Sequence, residues 1–117
     1  MDFSSIVRRQ IAADERRGFS VTFSSDAERH DQLSRELVGL VGEIGEFANQ
    51  LKKVGLSFTN PRYHGPRLDE VAAHLREEVA DAAIYLFRIS TILGGDLEQD
   101  ILTKMAQNDD RYGGLER

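Results

Sequence analysis

Four acidic residues form two pairs with matching spacing, Glu43 with Glu46 and Glu78 with Asp81. Side chains three residues apart lie on one face of a helix, so each pair directs its two carboxylates the same way. Four carboxylates that converge near a core repel one another and lose hydration unless cations lie between them. The spacing therefore predicts a metal site built from two helices.

The donor atoms predict the kind of metal. The sequence has no cysteine, and no histidine stands at ligand spacing in either pair, so the donors are carboxylate oxygens. Oxygen donors favour a hard cation such as Mg²⁺ or Mn²⁺, and Mg²⁺ usually keeps several waters and binds substrate phosphates. We therefore expect a metal–phosphate site rather than a closed structural one. Glu77 has two alternatives, a place behind the metal ligands or a place in solvent.

The elements that position the two pairs are helices. Apolar residues recur at helical spacing in four segments and no two segments pair as strands, so the fold class is all-α, a bundle-like arrangement of four helices. The predicted helices cover about Phe3–Arg17, Ser25–Lys53, Leu68–Leu93 and Asp96–Gly113. The stretch Gly55–Arg67 contains both prolines and is predicted to be the loop between the second and third helices.

The order of these helices predicts how the acid pairs meet. Two helices joined by one loop normally lie antiparallel, which can bring the two pairs face to face. On each helix the acidic stripe adjoins the apolar face instead of lying opposite to it. A short chain cannot cover both faces of such a hairpin, so the pattern predicts a homo-oligomer.

Three glycines, Gly39, Gly42 and Gly45, interrupt the second helix close to its acid pair. Each interior glycine costs a helix about 1 kcal/mol relative to alanine. Gly39 lies on the acidic stripe, where a larger side chain would project toward the ligands. Gly42 and Gly45 would let another backbone approach closely, or would simply allow close helix packing.

Composition and charge limit the partners. The 117 residues predict a single domain, 1–117, of which 30% are charged, with a net charge of −5. The absence of a basic block argues against a nucleic-acid partner. No apolar run reaches the roughly 18–20 residues of a membrane span. The N-terminal MDFSSIVRRQ has no apolar signal core, so we expect a cytoplasmic protein without a membrane partner.

Two stretches together resemble a known family. GEIGEFANQLKK followed by LREEVADAAIYL is similar to the MazG-like all-α nucleoside triphosphate pyrophosphohydrolases, in particular the dCTP pyrophosphatase-type branch. The resemblance implies that Glu43, Glu46, Glu78 and Asp81 are catalytic and bind Mg²⁺. Many members have a further acid where this chain has Gly42, and the dCTP pyrophosphatase-type branch shares that departure.

The resemblance also implies a set of substrate-binding residues. KMAQNDDRY is similar to the family's pattern of Lys, Asn, Arg and Tyr after the third helix. A lysine and an arginine on one face suit a polyphosphate, whereas asparagine can bind sugar or base. The implied substrate-binding residues are Lys53, Tyr85, Lys104, Asn108, Arg111, Tyr112 and, near an aromatic position that stacks on the base, Phe19.

The implied activity is Mg²⁺-dependent hydrolysis of a (deoxy)nucleoside triphosphate to the monophosphate and pyrophosphate. A dCTP-like substrate and a role in clearing unwanted nucleotides from the pool follow from the same resemblance. The family forms dimers that often pair into tetramers, so a homotetramer or a homodimer is expected.

Three alternatives are open. A di-metal carboxylate oxidoreductase in a helix bundle would use Glu-x-x-His motifs, whereas both motifs here end in Glu or Asp. A phosphoribosyl-ATP pyrophosphohydrolase belongs to the same family, but no feature of the sequence favours its substrate. A non-catalytic helical interaction module would not need complete ligand sets in both motifs.

Overall fold

The computed structural model describes residues 1–116 and contains four α-helices, with 79% of the chain helical. The helices are α1 (Phe3–Arg16), α2 (Asp26–Thr59), α3 (Leu68–Ile92) and α4 (Leu97–Tyr112), and a short 3₁₀ turn follows at Gly113–Leu115. Residues 1–116 contain no strand, which confirms the all-α prediction. No helix within this range combines the length and the apolar character that a membrane span requires.

Side-chain caps and glycines set most of the helix ends. Asp2 caps α1 by accepting a hydrogen bond from the backbone N–H of Ser5 at 2.8 Å. Asp96 caps α4 in the same way, accepting from the N–H of Gln99 at 3.2 Å. Gly94, with φ of +77°, follows α3 in the left-handed conformation that glycine adopts without strain. These boundaries agree with the predicted ones to within a residue or two.

The predicted end of α2 was wrong, because the helix continues past Lys53 to Thr59. Gly55 lies inside the helix and does not end it. The last helical hydrogen bond of this end runs from the N–H of Asn60 to the carbonyl of Leu56 at 2.9 Å. Pro61 follows, and a proline disfavours helical geometry in the residue before it. The connecting loop therefore covers only residues 60–67.

Residues His30–Leu86 form one compact unit, a hairpin made of most of α2, the loop and most of α3. A Cβ at Gly39 would lie 2.4 Å from the ring of Tyr85, which shows how closely the two helices approach there. Near the loop, a Cβ at Gly65 would lie 2.6 Å from the carbonyl oxygen of Lys53. The Gly39–Tyr85 contact pairs early α2 with late α3, and the loop contacts the end of α2, so the helices are antiparallel as predicted.

The second compact unit contains residues 1–29 and the described residues from Phe87 onward. The rings of Phe3 and Phe87 pack edge to face with their centroids 5.7 Å apart. Arg29 donates from Nε to the carbonyl of Ile92 at 2.8 Å, which ties the start of α2 to the end of α3. The prediction of a single domain over 1–117 stays a prediction.

Few apolar side chains are buried within the chain itself. In residues 1–116 the buried apolar side chains are Val54, Leu75, Phe87 and Ile92. Several residues with the spacing of a helix core face are instead exposed, namely Leu37, Val41, Ile44, Leu51, Val79, Leu86, Ile101 and Met105. An apolar surface of this extent is typical of a protein that associates with a partner.

Candidate metal centre

The hairpin brings three of the four predicted ligands together. Glu43 and Glu46 lie one turn apart on α2, and Glu78 lies on α3. One carboxylate oxygen of each lies within 4.8 Å of one oxygen of each of the other two. We call Glu43, Glu46 and Glu78 the acid cluster.

Part of the acid cluster is buried. Glu78 is only 4% exposed, Glu43 is half-buried, and Glu46 is exposed. One carboxylate oxygen of Glu43 and one of Glu78, the Oε2 atom in each, are buried without a hydrogen-bond partner in residues 1–116. A buried carboxylate oxygen with no donor is costly, so both atoms require a further group.

The same crowding changes the ionisation of Glu78. The close approach of the Glu43 carboxyl, burial, and the close approach and repulsion of Glu46 together raise the pKa of Glu78 to about 7. Each of these causes disfavours a second and third negative charge at one place. The chain alone therefore relieves the repulsion by keeping a proton in the acid cluster.

The acid cluster fits a hard divalent cation. Its donors are carboxylate oxygens, which Mg²⁺ and Mn²⁺ prefer. Two of those oxygens are buried with no partner within residues 1–116, and they are free to coordinate a metal. A divalent cation would remove the repulsion that the proton otherwise relieves.

Asp81 follows Glu78 by one turn of α3 but is exposed. Within the described residues, the carboxylates that lie close enough to share an ion are the three of the acid cluster, and Asp81 is not among them. The role of Asp81 as a fourth ligand stays a prediction.

His74 and Glu77 were not predicted to act together on the acid cluster. His74 Nε2 lies 3.1 Å from Glu78 Oε1, and His74 Nδ1 lies 3.7 Å from Glu77 Oε2. Glu77 fits both alternatives in part. Its side chain is exposed to solvent, and it also contacts His74, which in turn contacts the predicted ligand Glu78. The four-residue spacing of His74 and Glu78 on α3 was the signal that could have indicated this contact.

Tyr85 and Gly39 form a tight contact beside the acid cluster. The Tyr85 hydroxyl would lie 2.6 Å from a Cβ at position 39, so any larger residue there would displace the ring. Gly39 thus makes room for Tyr85 rather than for the ligands directly. Gly42 and Gly45 face open space within the described chain.

A small apolar cleft adjoins the acid cluster. Its volume is about 280 Å³. The cleft is lined by Glu43, Ile44, Phe47, Glu78, Val79, Ala82, Ala83 and Leu86. Because Ile44, Val79 and Leu86 are also exposed, the carboxylates lie at the edge of the uncovered apolar surface.

Lys53 belongs to the same unit as the acid cluster. It lies on α2, ten residues after Glu43, and is half-buried. Its carbonyl accepts a hydrogen bond from Ser57 Oγ at 3.5 Å, and Ser57 Oγ in turn accepts one from the N–H of Gly65 at 3.0 Å. The loop is thereby tied to the helical turn that carries Lys53.

The remaining predicted substrate residues lie in the other unit. Phe19 is exposed, and its carbonyl accepts a hydrogen bond from Arg88 at 3.1 Å. The Arg111 guanidinium lies 5.1 Å from the centre of the Tyr112 ring, a cation–π contact. Four of these residues are exposed on α4, namely Lys104, Asn108, Arg111 and Tyr112. Their roles, and those of Phe19, Lys53 and Tyr85, stay predictions.

Curated mammalian proteins named dCTP pyrophosphatase 1 are similar to this chain. The chain is 36% identical over 87 residues to dCTP pyrophosphatase 1 of Mus musculus, covering 74% of this chain and 49% of that protein. Over the same length it is 38% identical to the Bos taurus protein of that name and 37% identical to the Homo sapiens one, covering 50% and 49% of them. The chain thus spans about half the length of the curated relatives it matches.

The other two comparisons gave no match. No protein-family model matches the chain, and the search of solved structures found no significant similarity. The matches to the three mammalian proteins nevertheless confirm the resemblance that the two acidic motifs indicated.

Proposed function

We infer that this chain belongs to the MazG-like all-α nucleoside triphosphate pyrophosphohydrolases, in the dCTP pyrophosphatase-type branch. Four curated relatives named dCTP pyrophosphatase 1, 34–38% identical over 87 residues, support this assignment. The all-α hairpin with an acid pair on its first helix agrees with the resemblance.

We propose that the chain is a metal-dependent hydrolase of nucleoside triphosphates. It would cleave between the α and β phosphorus and release the monophosphate and pyrophosphate. The observation that carries this proposal is the acid cluster, in which Glu43 and Glu78 each keep a buried carboxylate oxygen without a partner in residues 1–116. Such an arrangement is unfavourable in a purely structural hairpin and suits a protein that binds cations.

Glu43, Glu46 and Glu78 would hold the metal, and Asp81 is the proposed fourth ligand. When bound, Mg²⁺ lowers the pKa of a coordinated water and neutralises charge on the phosphates. A carboxylate of this set would accept the proton of the attacking water.

The substrate contacts are proposed from the family resemblance. Lys53, Lys104 and Arg111 would bind the polyphosphate. The residues proposed to contact the sugar or base are Tyr85, Asn108, Tyr112 and Phe19. A dCTP-like substrate and a role in nucleotide-pool sanitation are proposed because the curated relatives are named dCTP pyrophosphatase 1.

We also propose a cytoplasmic homo-oligomer, a tetramer made of two dimers or a plain dimer. The exposed apolar side chains on both helices of the hairpin support association, since water contact there is unfavourable. The net charge of −5 supports the absence of a nucleic-acid partner, and no membrane partner is proposed.

The test is to incubate the full chain with Mg²⁺ and a panel of dNTPs and NTPs, then separate the products by chromatography. We expect monophosphate and pyrophosphate, with the highest rate on dCTP or a close analogue. Diphosphate and phosphate would contradict the proposal, because they arise from cleavage of a different bond.

The matched variants are Glu78→Gln and Glu70→Gln. Loss of a metal ligand removes several kcal/mol of charge stabilisation, so Glu78→Gln should lower kcat by about a hundredfold or more. Glu70 is an exposed glutamate in the first turn of the same helix, and its variant should keep the wild-type rate. Circular dichroism should show the same helical content in both variants. A fully active Glu78→Gln protein would refute the metal assignment.

A further inference from the structure

The two oxygens of Glu78 have different surroundings. His74 Nε2 lies 3.1 Å from Oε1, whereas Oε2 is buried with no hydrogen-bond partner in residues 1–116. The carboxylate as a whole lies in the acid cluster with Glu43 and Glu46. One oxygen thus contacts a nitrogen of the chain, and the other is left for a group from outside it.

His74 also contacts a second acid of α3, Glu77. The second ring nitrogen of His74, Nδ1, lies 3.7 Å from Glu77 Oε2. The His74 side chain is 52% exposed and the Glu77 side chain 77% exposed, so neither is needed to fill a core. His74 lies one helical turn before the adjacent residues Glu77 and Glu78, and the regular helix fixes the spacing between them.

We propose that His74 is a positioning residue, which orients the Glu78 carboxylate for metal binding, and that Glu77 orients the His74 ring. This inference rests on the proposed metal-dependent function. Groups that contact a metal ligand from behind fix its orientation, and their loss typically weakens metal affinity about 10–100-fold. His74 does not touch the metal in this scheme, and it acts only through Glu78.

The first experiment measures Mn²⁺ binding to the full chain without nucleotide, from the electron paramagnetic resonance signal of free Mn²⁺ at one fixed pH. His74→Ala should raise the dissociation constant by about tenfold or more. His74→Gln should restore most of the affinity, because its amide N–H₂ can reach the same carboxylate oxygen. Glu77→Gln should have a smaller effect, roughly two- to threefold, since it acts through His74.

His30→Ala is the matched control. His30 is an exposed histidine that also contacts an acid, with Nδ1 3.5 Å from Asp31 Oδ1, but it lies outside the acid cluster. Its variant should bind Mn²⁺ as the wild type does. An equal loss in His30→Ala and His74→Ala would overturn the proposal, because any exposed histidine would then have the same effect.

The second experiment separates positioning from a general structural role. With a nucleotide that the wild type hydrolyses, His74→Ala should need about ten times more Mg²⁺ for half-maximal rate and should recover nearly full kcat at saturating Mg²⁺. Loss of kcat at all Mg²⁺ concentrations would overturn the proposal, as would a His74→Gln variant as weak as His74→Ala.

The outcomes distinguish this proposal from the function on which it rests. If the wild type binds Mn²⁺, Glu78→Gln does not, and His74→Ala binds as tightly as the wild type, only the positioning role fails. If the wild type itself binds no Mn²⁺, the metal-dependent function fails and His74 loses its proposed role with it.

Discussion

Two buried carboxylates in this chain have opposite surroundings. Asp14, 8% exposed, accepts hydrogen bonds from Gln10 Nε2 at 3.0 Å and from Arg88 at 3.3 Å. Glu78, 4% exposed, is surrounded by Glu43 and Glu46 and keeps one oxygen without a partner in residues 1–116. The first acid is neutralised by a cationic side chain of its own unit, whereas the second is crowded by further acids.

The difference separates structural from functional charge. A buried acid that serves the fold is paired with a cation of the chain, because an unpaired charge would cost several kcal/mol. The acid cluster has no such lysine or arginine within ion-pair distance in the described chain. Apart from the His74 ring, whose Nε2 lies 3.1 Å from Glu78, the neutralising charge must come from a proton or a bound cation. The chemistry is proposed to occur at this site.

The largest expected difference between the two acids appears when each is replaced by its amide in a separate variant. Asp14→Asn should lower the free energy of unfolding by about 3 kcal/mol, because it removes the buried carboxylate that lies 3.3 Å from the Arg88 guanidinium. Glu78→Gln should leave the metal-free stability unchanged or higher, because it removes repulsion. Urea unfolding in EDTA measures both.

Added Mg²⁺ provides the control for this pair. A ligand that binds only the folded state stabilises it, so Mg²⁺ should raise the stability of the wild type and of Asp14→Asn but not of Glu78→Gln. Equal destabilisation by both substitutions in EDTA would contradict the distinction, since Glu78 would then be as structural as Asp14.

The next prediction concerns pH. Glu78 has a pKa of about 7 in the folded chain and an ordinary value of 4.5 when unfolded. Between these values the folded state binds more protons than the unfolded state, so the contribution of Glu78 to stability falls as pH rises from 4.5 to 7 and is constant above. In EDTA, the Tm from thermal melts should fall as pH rises over this range, and the fall should be smaller in Glu78→Gln than in the wild type.

Saturating Mg²⁺ should flatten the same profile, because a bound cation replaces the proton as the neutralising charge. The difference between the wild-type and Glu78→Gln curves isolates this group from the other acids. If the two curves run parallel across that pH range in EDTA, Glu78 is not the group that holds the proton.

The smallest predicted effects compare two glycines of α2. Gly42→Ala should stabilise the monomer by up to about 1 kcal/mol, since the position is open and alanine favours helix. Gly39→Ala should destabilise it by about 1–3 kcal/mol, because the new Cβ would lie 2.4 Å from the Tyr85 ring. Urea unfolding measures both, and equal effects would contradict the close contact at Gly39.

The helix ends that could be predicted from the sequence are those marked by a local signal such as a capping side chain. The starts of α1 and α4 were predicted well, because Asp2 and Asp96 are capping side chains at fixed distance from their N–H partners. The end of α2 was not, because Gly55 and the nearby prolines suggested a loop that begins too early. A helix interior tolerates glycine, as Gly39, Gly42 and Gly45 of the same helix also show, so only Pro61 carried the correct signal.

In the candidate site, the residues that share a face of one helix could be predicted from their spacing, whereas contacts between helices could not. The proximity of Glu43 and Glu46 follows from a three-residue interval, and the hairpin topology placed Glu78 near them. The exposure of Asp81 depends on how far α3 is rotated about its own axis, which an interval does not give. The contact between Gly39 and Tyr85 likewise requires the distance between the helix axes.

The anchoring of Gly65 has a practical consequence for engineering. Its amide is fastened to Ser57 and its Cα faces the Lys53 carbonyl too closely for any side chain. Grafting a foreign peptide between Asn60 and Arg67, or substituting Gly65, would therefore disrupt the packing of the loop on the turn that presents Lys53. A tag or insertion intended to spare the lysine must retain that glycine and its spacing from the serine.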